Sequence, residues 1–167
     1  MALETNSLYV RDFTFGDEPA LQAVFYSAIH TIAASDYTPA QLDAWAPGRP
    51  DMERWTAWMR AIRPFVVEED GRIVGYADLQ ANGYVDHFYV SGASARRGVG
   101  RILMDHIHSR AAQLAFASLF SDVSRTAQPF FERFGFLVLE HKTAIVGGVS
   151  LPNARMSKDL LAVSRSW

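Results

Sequence analysis

At Pro64 the spacing of apolar residues changes. Upstream, Leu21, Val24, Phe25, Ile29 and Ile32, and then Trp55, Trp58, Met59 and Ile62, recur at the spacing of amphipathic helices. Downstream, Phe65 to Glu69 and Arg72 to Gln80 flank Asp70-Gly71, a dipeptide suited to a tight hairpin turn. Asn82-Gly83 repeats the signal and leads into Tyr84 to Val90, so successive strands in an antiparallel meander are predicted. Helices that give way to a meander commit the chain to a sheet with helices packed on it.

The other elements follow from local signals. Ser7 to Phe13 alternates and predicts a first strand. A helix starts at Asp17 and is broken at Asp36-Tyr-Thr-Pro39, where Thr38 can cap a short helix reaching Trp45. Ala46 to Pro50 breaks the chain again, and Asp51 caps the helix whose Trp55 and Trp58 are expected in the core. Past the meander, a loop from Ser91 to Arg97 feeds a helix over about Gly98 to Phe116. Ile102, Leu103, His106, Ile107, Ala111 and Leu114 are expected on its inner face. Leu119 to Val123 reads as a buried strand, and Thr126 to Phe134 as a short helix stopped by Gly135. Leu137 to Val146 and Leu151 to Lys158 form a last antiparallel pair across Gly147-Gly148. The expected order, β-α-α-α-β-β-β-α-β-α-β-β, is of the α/β class with a mixed sheet, in one domain over residues 1–167.

Composition narrows the function classes. The 167 residues include no cysteine and carry a net charge of −2. That excludes disulfides, thiolate metal sites and a cysteine nucleophile, and gives no basic face for nucleic acid. The first ten residues lack an apolar stretch behind a basic start, and no run approaches the roughly 18 apolar residues of a membrane span. A cytoplasmic protein with no membrane or nucleic-acid partner is expected. His106 and His108, two apart on a helix, point in different directions, and no metal is expected. No Gly-x-Ser-x-Gly elbow supports a serine hydrolase.

The chemical signal lies between Tyr89 and Leu103. A strand ends, basic residues occupy a loop, and Gly98 and Gly100 open an amphipathic helix. The free amides and positive dipole end of a helix attract anions, glycines admit an oxygen-rich ligand to the backbone, and Arg96, Arg97 and Arg101 add charge. A plain tight turn explains the same pattern. Two nucleotide motifs fail on spacing: Leu103 stands where a third dinucleotide-binding glycine belongs, and no Gly-Lys-Ser/Thr follows.

This segment resembles the acyl-CoA motif of the GNAT superfamily of N-acetyltransferases, Arg/Gln-x-x-Gly-x-Gly/Ala, with Gly98 and Gly100 matching and Ala95 departing from Arg/Gln. Ala127-Gln-Pro-Phe-Phe-Glu-Arg-Phe-Gly-Phe136 resembles the late helix of the same family. Asp36-Tyr-Thr-Pro, Ala44-Trp-Ala-Pro47 and Leu151-Pro-Asn-Ala-Arg-Met156 are similar to a YafP-like bacterial branch. The resemblance implies a GNAT-like fold: a mostly antiparallel sheet of about seven strands, flanked by helices and splayed at the acyl-CoA site. It implies that Phe88, Tyr89 and Val90 pair with the pantetheine, and that amides from Arg96 through Val99 to Arg101 hold the pyrophosphate. Ser124, Ala127, Phe130 and Phe131 would flank the thiol end.

An amine acceptor must lose a proton, and a departing thiolate can gain one. The resemblance points to Asp86 or His87 as base; on a strand the two would face opposite sides, so at most one could reach the acceptor. A hydrogen-bonded structural pair is the competing reading. The late-helix position that often carries a tyrosine acid in the family falls on Phe131, which has no proton to give. Ser124 is either a helix cap or a thiol- or water-positioning group. His30, Tyr37 and Trp45 fall on the segment that roofs the acceptor in the family, and Tyr84 lies beside it; packing accounts for Tyr84, Tyr89 and Trp45 as readily. With no cysteine there is no acetyl-cysteine intermediate, which favours direct transfer from acetyl-CoA to a primary amine. The aromatic early segment points to a small-molecule acceptor before a protein, and the resemblance implies a monomer or homodimer. The alternative is a non-catalytic acyl-CoA sensor.

Overall fold

The computed structural model describes residues 7–161. Residues 1–6, which bear on the expected lack of a leader, and residues 162–167 lie outside the described residues, and so do the limits of the expected domain. In chain order the elements are β1 (Leu8–Asp12), α1 (Glu18–Ser27), α2 (Pro39–Trp45), α3 (Met52–Ile62), β2 (Phe65–Glu69), β3 (Arg72–Ala77) and β4 (Phe88–Val90). They continue with α4 (Val99–Gln113), β5 (Ser118–Ser124), α5 (Gln128–Arg133), β6 (Leu137–Val146) and β7 (Val149–Asp159). This is the α/β order expected from the sequence.

The strands hydrogen-bond in two antiparallel groups, β1-β2-β3-β4 and β5-β7-β6. A short parallel contact between Tyr84 and Phe120 joins them. There the Val85 N–H donates to the Phe120 carbonyl at 2.9 Å, and the Phe120 N–H to the Gly83 carbonyl at 3.1 Å. Beyond that point β4 and β5 share no ladder, and the sheet opens between them.

Helices cover both faces. Phe65 and Val67 of β2 pack with Leu103, Met104 and Ile107 of α4 and with Phe131 and Phe136. Val66 and Tyr76 pack on the other side with Leu21, Phe25, Trp55 and Met59. Burial on both faces explains why β2 reads as a continuous apolar run at its start. Gly75 on β3 lets α4 sit close, because a Cβ there would lie 2.6 Å from the Val99 side chain.

The local caps form as expected. Thr38 accepts the Gln41 N–H at 3.2 Å while the Gln41 side chain accepts the Thr38 N–H at 2.9 Å. Asp51 caps α3 by accepting the Arg54 N–H at 3.0 Å.

Five expectations are corrected. The helix begun at Asp17 does not run evenly to Ile32: it passes into a π-helical turn at Ala28–Ile32 and a 3-10 turn at Ala33–Ser35. The loop after β4 docks on this turn, with the Gly92 N–H donating to Ser27 Oγ at 2.9 Å. Second, the meander's last hairpin pairs only Gly75–Ala77 with Phe88–Val90. The Asp78 carboxylate takes the amides of Asp86 and His87 at 2.8 and 2.7 Å, which breaks the ladder. Third, Leu114 is 50% exposed, and Met104 occupies the inner face instead. The helix ends before Leu114 in a Schellman turn, with Ala115 left-handed (φ 55) and the Phe116 N–H reaching the Ala111 carbonyl at 2.9 Å. Fourth, Trp58 is 41% exposed; α3 buries Trp55 and Met59, and Trp58 sits at the margin of that stripe. Last, Ser124 is the end of β5 and not a helix cap, a position held by Ala127.

Candidate functional site

Two cavities meet where the sheet opens. The first is a groove of about 680 Å³ lined by Phe88, Tyr89 and Val90 of β4, by Arg96, Gly98, Gly100 and Arg101 at the start of α4, and by Ser124, Ala127 and Phe130. Gly98 holds φ 88, a conformation that favours glycine, and has open space around its missing Cβ. No side chain caps α4, so its first amides stay available beside Arg96 and Arg101. That junction suits an anion such as a pyrophosphate. Gly100 admits the Phe130 ring, which would lie 3.2 Å from a Cβ there.

Three residues expected at this groove keep their side chains out of it, while the backbone amides expected of Arg97 and Val99 remain at the entry to α4. Arg97 turns away to a bidentate pair with Glu69 of β2. The Val99 side chain is fully buried under α4, and Phe131 is buried against Phe88 and Phe136. The groove also takes Ile29 and Ile32 from the π-helical turn, together with Trp45 and Arg133. Ile29 remains in the core as its helical spacing predicted, at 1% exposure, and borders the groove from there.

The second cavity, about 570 Å³, gathers Tyr37, Trp45, Tyr84, Asp86, His87 and Tyr89 with Phe25, Trp55, Trp58 and Asp122. Trp45, Tyr89 and Ser124 line both cavities and form the junction between them. His30 lines neither: its Nε2 donates to the Ala46 carbonyl at 2.7 Å and its ring stacks on Tyr26. Tyr37 ties elements together, donating to the Pro152 carbonyl at 2.6 Å and accepting the Arg125 N–H at 2.9 Å. Ser124 Oγ accepts the Ala127 N–H at 3.3 Å.

Asp86 and His87 share this cavity instead of facing opposite ways, because they precede β4 and do not alternate. His87 Nε2 lies 3.9 Å from Asp86 Oδ2. The imidazole is 2% exposed, contacts the Tyr76 hydroxyl through Nδ1 at 3.0 Å, and lies edge-on to Trp58 at 4.5 Å. Burial lowers its pKa to about 3, so the ring is neutral at physiological pH. Burial raises the Asp86 pKa, partly offset by hydrogen bonds from Tyr84 and Trp58. Asp122, the other inner carboxylate, is held below its ordinary pKa by Arg155, whose Nε donates at 2.6 Å. Burial pushes the Tyr89 hydroxyl up, so it stays protonated, and the Trp45 side chain hydrogen-bonds to it. Behind Asp86 sits Asp78, fully buried, whose pKa is raised to about 6 by desolvation. Nothing in the sequence marks it, since its role depends on the broken ladder.

Comparison with known proteins agrees with this architecture. The chain is 29% identical over 151 residues to the uncharacterized N-acetyltransferase YafP of Escherichia coli strain K12, covering 90% of this chain and 95% of that one. A GCN5-related N-acetyltransferase crystal structure from Rhodopseudomonas palustris superposes with a TM-score of 0.86 at 28% identity, covering 96% of this chain and 99% of that one. YncA of Salmonella typhimurium, solved with its cofactor acetyl-CoA, shares the fold with a TM-score of 0.68 at 19% identity, over 92% of this chain and 94% of that one. The Acetyltransferase (GNAT) domain family matches residues 33–160, most of the chain. With its opened sheet and uncapped α4 at the opening, this chain belongs to the GNAT acetyltransferase family.

Proposed function

We propose that the protein is an acetyl-CoA-dependent N-acetyltransferase acting directly on a primary amine. The observation that carries this reading is the junction at Trp45, Tyr89 and Ser124, where the groove at the uncapped start of α4 meets an aromatic cavity containing Asp86. Acetyl-CoA supplies an activated acyl thioester when bound. The α4 amides with Arg96 and Arg101 hold its pyrophosphate, Phe88 to Val90 offer backbone to its pantetheine, and Ala127 and Phe130 flank the groove.

The acid–base work follows from the electrostatics. A half-buried carboxylate whose pKa is raised is a better base than an exposed one, so Asp86 receives the proton of the incoming ammonium. His87, held neutral with a strongly lowered pKa, is too weak a base for this role and shapes the wall beside Asp86. Tyr89 keeps its proton at the junction and is positioned to donate it on the thiol side, a role the apolar Phe131 cannot fill. Trp45 orients that hydroxyl, and Ser124 adds a second hydroxyl at the same junction. Tyr37, Tyr84 and Trp45 form walls for the acceptor.

Calorimetry with acetyl-CoA, followed by CoA release in the presence of a primary-amine panel, tests the reading. Binding with amine-dependent release is expected. Absence of binding would overturn it, and binding without release across the panel would favour a non-catalytic acyl-CoA sensor.

A further inference from the structure

The second cavity contains an imbalance of charge. Asp122 is matched by Arg155, at 2.6 and 3.1 Å, and by Lys142 at 3.5 Å. Asp86 has no such partner: among the described residues its only ion-pair contact is His87 Nε2 at 3.9 Å, on an imidazole that burial keeps neutral. Its hydrogen bonds come from neutral Tyr84 and Trp58. A half-buried carboxylate in this position lacks the cation that would stabilise it. At the same wall Trp58 leaves 41% of its surface open, at the margin of the stripe that buries Trp55 and Met59.

The surroundings of Asp86 are aromatic. Trp58, Tyr84 and Trp45 face the cavity, and its far walls are Pro47 and Pro50 of the α2–α3 connection and Val146 and Leu151 of the β6–β7 hairpin. Asp51, which ends that connection, and Arg54, in the first turn of α3, are opposite charges, so they add little net field. Ring faces attract a cation electrostatically and also receive a flat apolar body. One unmatched carboxylate fits one ammonium, because Asp122, the cavity's other inner carboxylate, is already paired with Arg155 and Lys142. Walls from α1, the α2–α3 connection, β5 and the terminal hairpin surround a cavity of about 570 Å³, a size that suits a small molecule.

We infer that the cavity takes a small, singly charged aralkylamine, its ammonium on Asp86 and its ring between Trp58 and Tyr84. The inference rests on the acetyltransferase reading for its chemistry but not for its binding test. At the junction the same amine nitrogen lies on the path to Tyr89 and Ser124, which serves both recognition and transfer.

The test is calorimetric titration of the full chain with 2-phenylethylamine, alone and with saturating CoA, against ethylamine, 2-phenylethanol, spermidine and a lysine peptide blocked at both ends. 2-Phenylethylamine should bind at least tenfold more tightly than each of the others in one of the two states. Asp86→Asn should weaken it at least tenfold, and Trp58→Ala several-fold, with ethylamine less affected by the second change. Retained CoA binding checks that each variant is folded; if Asp86→Asn is not, the 2-phenylethanol comparison reads the charge contact in the wild-type protein. Binding of 2-phenylethanol or ethylamine as tight as that of 2-phenylethylamine, or no binding in either state, would overturn the inference. Amine binding without acetyl transfer would refute the enzyme reading and leave the recognition intact. Transfer to the lysine peptide with 2-phenylethylamine ignored would do the reverse.

Discussion

Asp78 and His87 are bonded twice over: Asp78 Oδ1 accepts the His87 N–H at 2.7 Å, and the Asp78 N–H donates to the His87 carbonyl at 3.1 Å. The same Oδ1 also takes the Asp86 N–H at 2.8 Å. One buried carboxylate therefore sets the backbone from which both cavity-facing groups project, and holds it off the strand geometry that would have separated them.

That carboxylate makes stability depend on pH. Its folded pKa, about 6, lies above its ordinary value because burial disfavours the charge. The native state therefore binds the proton more tightly than the unfolded chain, and this stabilisation is complete below about pH 4 and lost as pH rises through 6. Relative to Asp78→Asn, the wild-type protein should lose about 2 kcal/mol between pH 4 and 6.5. Urea unfolding of both proteins across that range measures it; parallel curves would refute it.

His87 works in the opposite direction. With a folded pKa of about 3, it resists protonation that the unfolded chain accepts near pH 6.5. Its contribution is present above pH 6.5 and lost as pH falls toward 3. His87→Gln should flatten the acid limb of the melting-temperature profile relative to wild type, whatever its stability at pH 7.5. The same variant should keep its turnover to within about tenfold if His87 is a wall and not the base.

Asp86→Asn should lower kcat by roughly 10²–10⁴-fold while leaving acetyl-CoA affinity unchanged, because the groove lies on the other side of the junction. Tyr89→Phe should also lower kcat, and by the same factor across the accessible pH range, because burial keeps that hydroxyl protonated throughout it. Steady-state kinetics with a reactive amine, paired with calorimetry, separates these effects. A Tyr89→Phe enzyme with unchanged turnover would take proton donation away from that hydroxyl.

Gly98→Ala should weaken acetyl-CoA binding and cost about 1–2 kcal/mol of stability, since φ 88 is strained for a residue with a Cβ even though nothing crowds it. Ala115→Gly should do the opposite to stability, adding about 1 kcal/mol at a left-handed position already occupied by alanine. Thermal melts of the two variants, with acetyl-CoA titrations of the first, check both.

The sequence by itself determined what depends on neighbours in the chain. The Thr38–Gln41 box, the Asp51 cap, the Asp70-Gly71 turn and the Gly98 entry to α4 each involve residues within a turn of one another, and all are present. Fold class and the groove's glycines were legible for the same reason. Tertiary structure alone decided which charges are spent and which are free. Arg97 is drawn off by Glu69 on β2, while Asp122 is matched by Arg155 from β7 and Asp86 is left with neutral partners. It also turned Trp58 from core to cavity wall and brought Asp86 and His87 to one side. A helix cap or turn is stabilised by hydrogen bonds its own few residues supply. Burial, and with it the pKa of a carboxylate or an imidazole, is set by whichever distant segments fold against it.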